Sequence, residues 1–191
     1  MREAMVGLCS PETPFRQAMG ESLARTPGLC LQEDGPLDLF VCVLEPGPTG
    51  EMKLATEPVD LNRLADTYER CALGVLRQVN AALPRLQAGQ GKRLCFVTSV
   101  TASVNLARDT GADSSSIVLA AANMAIRTLF NSLRPLGYTF RVFASRGFDP
   151  ADAPYAVTYF LRDRSNEPES PEHSDENRLV MRNRYEQEIP W

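Results

Sequence analysis

The segment Asp38-Leu39-Phe40-Val41-Cys42-Val43-Leu44 constrains the fold more than any other stretch. It sets an unbroken apolar run between the breakers Gly35-Pro36 and Pro46-Gly47-Pro48. A half-exposed strand would alternate apolar with polar, so a run this short and continuous predicts a strand covered on both faces, as in a parallel sheet. The segments 94–100 (LCFVTSV) and 140–144 (FRVFA) repeat the pattern. Between such runs lie stretches of helical spacing. From 60 to 86, Leu61, Leu64, Tyr68, Cys71, Val75, Val79 and Leu83 step by three or four, beside a second set at Ala65, Ala72, Leu76, Ala82 and Leu86. From 115 to 133 the apolar residues include Ile117, Leu119, Met124, Ile126, Leu129 and Phe130, with small residues crowded into the first half. Strands alternating with amphipathic helices predict a doubly wound α/β fold: a parallel sheet between two helical layers.

Local signals place the remaining elements. The run 5–9 predicts a first strand and 15–25 a first helix, with Thr13 as N-cap, Pro14 at the first helical position and Pro27-Gly28 as the stop. Residues 28–31 have room for a second short strand, 89–92 turn the chain, and Gly137 ends the 115–133 helix. A further helix is expected over 152–161 and a mobile polar loop over 162–176; Leu179-Val180-Met181 and 185–191 then pair as a last strand or hairpin. With 191 residues and no internal repeat, a single domain spanning 1–191 is expected.

Composition narrows the functions. Apolar residues are 43% and charged residues 23%, ordinary globular usage, and the net charge of −4 gives no electrostatic footprint for nucleic acid. No apolar run is expected to reach the roughly 20 residues that span a bilayer. The start MREAMVGLCSPE lacks the charged-then-apolar order of a signal peptide, so a cytoplasmic protein without membrane contact is expected. The cysteines Cys9, Cys30, Cys42, Cys71 and Cys95 are scattered without metal-ligand spacing and read as reduced core thiols; the only histidine is His173, in the polar tail. No metal is expected, and Ser-His or Cys-His nucleophile schemes find no partner.

Residues 65–147 resemble the second half of a short-chain dehydrogenase/reductase. The resemblance rests on Gly74 followed by Asn80-Ala81-Ala82-Leu83-Pro84, on Lys92-Arg93-Leu94-Cys95-Phe96-Val97-Thr98-Ser99-Val100, and on the helix 124–133 followed by Gly137, Phe140-Arg141-Val142 and Gly147. It implies a Rossmann-like fold, and between the first helix and Asp38 the chain is too short for the additional helix and strand that close over the adenine in that family. The family's chemistry uses a tyrosine as proton donor, a lysine that lowers its pKa and holds the cofactor ribose, a serine that orients substrate, and an asparagine in a water relay. By the same resemblance Ser99 holds the serine position, Cys71 that of the asparagine, Ile117 that of the tyrosine and Ala121 that of the lysine. Neither Ile117 nor Ala121 can donate a proton, so acid/base catalysis by this route is expected to be lost.

The cofactor loop departs from the family likewise. Ser10, Pro14 and Arg16 fall at the three glycine positions that let a backbone approach a pyrophosphate, and the strand after Asp38 runs into Glu45, a carboxylate near the cofactor's expected place. No bound cofactor is expected. Ser99 reads either as a retained substrate-orienting hydroxyl or as a turn-capping residue, Cys42 and Cys71 as core hydrophobes, and Tyr138 and Tyr155 as phenols near the cleft side that serve packing. Three functions remain: a non-catalytic subunit that dimerises, with an active paralogue or with itself, through helices 60–86 and 115–133; an NAD- or NADP-dependent oxidoreductase using other residues; or a small-ligand-binding module contacting its ligand through Ser99 and Glu45.

Overall fold

The structure is a computed structural model describing residues 3–46, 60–106, 114–162 and 175–191. Strand β1 (Ala4–Cys9) is followed by α1 (Pro14–Ala24), β2 (Leu29–Leu31) and β3 (Leu39–Val43). Then come α2 (Leu61–Tyr68), α3 (Gly74–Ala88), β4 (Arg93–Ser99), α4 (Ser114–Leu133) and β5 (Thr139–Ser145). The chain closes with α5 (Ala153–Phe160), the single turn α6 (Asp175–Arg178), β6 (Met181–Arg182) and β7 (Glu188–Ile189).

One seven-stranded sheet runs β2-β1-β3-β4-β5-β6-β7. Every pairing through β6 is parallel, and β7 returns antiparallel as the expected terminal hairpin. All five β3 residues are buried, as its apolar run requires. Helix α1 packs on α5, and α3 packs on α4, giving the two helical layers. The short link after α1 yields only β2, which becomes the sheet edge beside β1. The shortening expected at the adenine-binding side is therefore present.

Buried carboxylates tie the layers together. Asp38 Oδ2 accepts from the Met5 N–H at 2.9 Å and Oδ1 from the Gln90 N–H at 2.7 Å, joining β1, β3 and the turn before β4. That turn is tight: a Cβ on Gly89 would stand 1.9 Å from the Leu37 carbonyl oxygen, so only glycine passes there. Toward the β6–β7 edge of the sheet Asp175 accepts from Arg182 Nε and, at 2.7 Å, from Arg182 Nη2, while the Tyr159 hydroxyl donates to it at 3.2 Å. The fully buried Arg141 lies 3.8 Å from the same carboxylate.

The structure departs from the sequence expectations in four places. The helix expected over 60–86 is interrupted by a π-turn at Glu69–Leu73. A π-turn holds more residues than an α-turn, so the apolar stripe loses its register above it: Thr67 is buried while Leu61 and Tyr68 are exposed. The stretch Ser115–Leu136 is, by length and composition, apolar enough to cross a bilayer, contrary to the expectation of no such run. Here Val118, Leu119, Ala122 and Ile126 on that stretch are buried. The loop expected over 162–176 lies mostly outside the described residues, but Asp175 at its end is fixed by the ion pairs above. Tyr138 precedes β5, and because Arg93 pairs with Thr139 and Ser99 with Ser145, it sits at the opposite end of the sheet from Ser99.

Burial pushes the Asp175 carboxyl up, but its bonds from Arg182 and Tyr159 and the Arg141 charge outweigh this and hold it below its ordinary 3.8. A depressed carboxyl stabilises the fold above its unfolded value, and that contribution fades as pH falls through the folded value. Asp175→Ala, which takes this carboxylate from the buried Arg141 and the half-buried Arg182, is expected to cost about 3 kcal/mol in urea denaturation at pH 7. The difference from the parent should shrink below about pH 4.

Candidate functional site

The candidate site lies at the carboxyl ends of β1, β3 and β4, the side of a parallel sheet where loops and helix N-termini converge. Ser99 closes β4 and is buried; its Oγ accepts from the Thr101 N–H at 3.2 Å and from the Thr101 hydroxyl at 2.9 Å, capping a short turn at Val100–Ala102. That turn packs on α4, which carries Ile117 and Ala121 four residues apart and so on one face. Cys71, in the π-turn, also belongs to a segment packed on α4, and its Sγ lies 3.9 Å from the Glu45 carbonyl oxygen beyond β3. The segments that carry Ser99 and Cys71 thus both pack on the helix that carries Ile117 and Ala121. Ile117 is 46% exposed. Burial pushes the Cys71 thiol up, with Arg70 opposing.

The N-terminus of α1 forms the neighbouring wall. Thr13 caps the helix by accepting the Arg16 N–H at 3.2 Å, and Pro14 at the first helical position has no N–H to offer. The Thr13 hydroxyl also donates to Glu45 Oε2 at 2.5 Å. A carboxylate from the end of β3 is thereby held at the positive end of α1, where backbone N–H groups would otherwise receive an anion.

Two hollows adjoin these walls. One of about 1020 Å³ runs beside β1, α1 and the edge strand β2, touching Gly7, Ser10, Arg16, Leu31, Glu33 and Arg85. The other, of about 460 Å³, lies between the ends of β1 and β3 and the π-turn, and its lining includes Cys9, Cys42, Glu45, Arg70 and Cys71.

No family model matches the chain. The C-signal of Myxococcus xanthus is 38% identical over 104 residues, which are 54% of this chain and 61% of the C-signal, so the match spans about three fifths of that relative. A structure designated a short-chain dehydrogenase/reductase from Burkholderia multivorans, with bound NADP, superposes with a TM-score of 0.70 at 11% identity, covering 100% of both chains. The carbonyl reductase Sniffer of D. melanogaster superposes with a TM-score of 0.68 at 11% identity, again over 100% of both chains. The fold is that of the short-chain dehydrogenases and reductases.

Within the short-chain dehydrogenase/reductase fold the crevice outside the strand ends is where the resemblance expects the family's serine, tyrosine and lysine. Among the phenols weighed as cleft residues, Tyr138 is buried at the far end of β5, and Tyr155 on α5 lies under the Arg184 guanidinium at 5.1 Å. The sequence reading missed two features of the site: the Thr13–Glu45 contact and the meeting of Cys9 with Cys42. Only the positions of Cys9 and Cys42 late in two adjacent strands could have hinted at the second.

Thr13→Ala removes both the helix cap and the donor to Glu45. A loss of about 1–2 kcal/mol in urea denaturation is expected, and Thr13→Ser should restore most of it.

Proposed function

We propose that this chain is a non-catalytic member of the short-chain dehydrogenase/reductase fold, serving as a dimerising subunit of an active paralogue or of a second copy of itself. The carrying observation is the Glu45 carboxylate bonded to Thr13 at the N-terminus of α1. A dinucleotide would bring its pyrophosphate to this helix end, and the residues present do not fit it. One N–H is replaced by proline, the Arg16 N–H is already engaged, and a negative charge stands in front. Ile117 and Ala121 add that the proton donor and its activating cation are missing by the family register.

The dimerising half of the reading rests on helices 60–86 and 115–133. Leu61 on α2 and Met124 on α4 are 70% and 67% exposed, large apolar side chains that a partner's helices would cover. The net charge of −4 gives no attraction to nucleic acid or to an anionic membrane surface. A second reading, a small-ligand-binding module, draws on the hollow of about 1020 Å³ beside β1 and α1. Thermal-shift screening against small metabolites exposes it, since a ligand of the native state raises the midpoint by mass action.

NADH or NADPH titrated into the purified chain is expected to give no saturable rise in nicotinamide fluorescence. Sedimentation velocity is expected to show a dimer, either of this chain alone or with a short-chain dehydrogenase/reductase co-purified from the native host, and Met124→Glu should shift it to monomer. Saturable dinucleotide binding overturns the non-catalytic half. A chain that remains monomeric in both settings overturns the subunit half.

A further inference from the structure

Three of the cysteines converge although the sequence scatters them. In the parallel ladder between β1 and β3, Cys9 is the register partner of Cys42. Adjacent strands run about 4.8 Å apart, and partners in register project to the same face, within the Cα separation of about 4.4–6.8 Å that a disulfide accepts. Both cysteines line the smaller hollow between the strand ends. Cys71 lines the same hollow of about 460 Å³ but is turned to the Glu45 carbonyl.

The pair is asymmetric in the way a reactive dithiol needs. Cys9 is half-buried and borders both hollows, so a small solute reaches it; Cys42 is 3% exposed and borders only the smaller one. The neighbouring Cys42 thiol pulls the Cys9 thiol below its ordinary value against the opposing effect of burial, and the Arg16 charge helps. The neighbouring Cys9 thiol, burial and the nearby Cys71 sulfur hold Cys42 well above its own. A thiolate beside a cation and next to a resolving thiol is the environment of a redox-active cysteine. A metal explains the cluster less well, since among the described residues no group of three Cys, His, Asp or Glu side chains could hold one.

We propose that Cys9 and Cys42 are a redox-active pair, Cys9 reacting with a hydroperoxide that enters from the hollow and Cys42 closing a disulfide between β1 and β3. In the first step the Cys9 thiolate attacks the terminal peroxide oxygen. The S–O bond forms, the O–O bond breaks, and the alkoxide or hydroxide leaves and takes up a proton, leaving Cys9 as a sulfenic acid. In the second, the Cys42 sulfur attacks the Cys9 sulfur. The S–S bond forms, the S–O bond breaks, and water leaves with the Cys42 proton. The peroxide is reduced by two electrons and the two thiols are oxidised by two. The covalent link joins the strand before α1 to the strand before Glu45, beneath the Thr13–Glu45 contact, and it depends on neither the cofactor nor the dimer.

The test treats the reduced full-length chain with stoichiometric hydrogen peroxide. Intact mass should fall by two hydrogens, thiols titrated in denaturant should drop by two from the five of the sequence, and a non-reduced peptide map should link Cys9 to Cys42. Cys42→Ala should stop at a Cys9 sulfenic acid that dimedone traps, whereas Cys9→Ser should abolish both products and Cys30→Ser should change neither. In the native chain Cys9 should be alkylated by iodoacetamide at least about tenfold faster than Cys30, which is similarly half-buried but has Met5 as its register partner. A link from Cys9 to any other cysteine, or oxidation and alkylation of Cys9 no faster than of Cys30, overturns the proposal. The map and the alkylation rates need no variant, so they decide it even if a substituted chain fails to fold.

Discussion

The central strands have no face to give to water, and the rest of the architecture follows from that. β3 is buried along its whole length, and β4 and β5 are buried except at their first residues. Such strands persist only if helices cover both faces, so each parallel crossover must return over the sheet and the helices must sort into two layers. Parallel crossovers also leave all the strand ends of one polarity together. The crevice containing Ser99, Glu45, Cys9 and Cys42 is thus a by-product of burying the sheet, not a separately built structure.

What fills that crevice differs from what the fold usually asks of it. The resemblance expects glycine-lined backbone facing a pyrophosphate at the end of α1, and a proton donor beside Ser99. Here Thr13, Pro14 and Glu45 satisfy that helix end from within the chain. Ser99 spends its oxygen on capping the turn that follows β4. Satisfying polar groups internally makes a wall stable and unreceptive, since any ligand would first have to displace bonds already made. Beside that wall stand the sulfurs of Cys9 and Cys42, two ionisable groups that burial pushes up alike and that their mutual proximity pushes in opposite directions.

Much of the fold was legible because its signals are local. The apolar runs, the Thr13-Pro14 start of α1, the stop at Gly137 and the terminal hairpin each depend on a few neighbouring residues, and each is found in place. The π-turn was not legible, since residues stepping by three or four look the same whether or not one turn is widened. Nor was the fixing of Asp175, because a carboxylate in a polar stretch reads as solvated until Arg141 and Arg182 arrive from β5 and β6. Tyr138 reads from the sequence as a packing phenol near the cleft side, whereas it stands at the beginning of β5 and the crevice lies at the other end.

By itself the sequence determined a parallel sheet between helical layers, the edge shortened to β2, and hydrocarbon at Ile117 and Ala121, because periodicity and residue type are properties of contiguous chain. Only the tertiary structure decided that Cys9 faces Cys42, that Glu45 reaches Thr13, and that Asp38 joins β1 to the turn before β4. Each of these contacts joins residues far apart in the chain. Parallel register creates them, and that register is set by how the intervening helix packs, which no short window of sequence encodes.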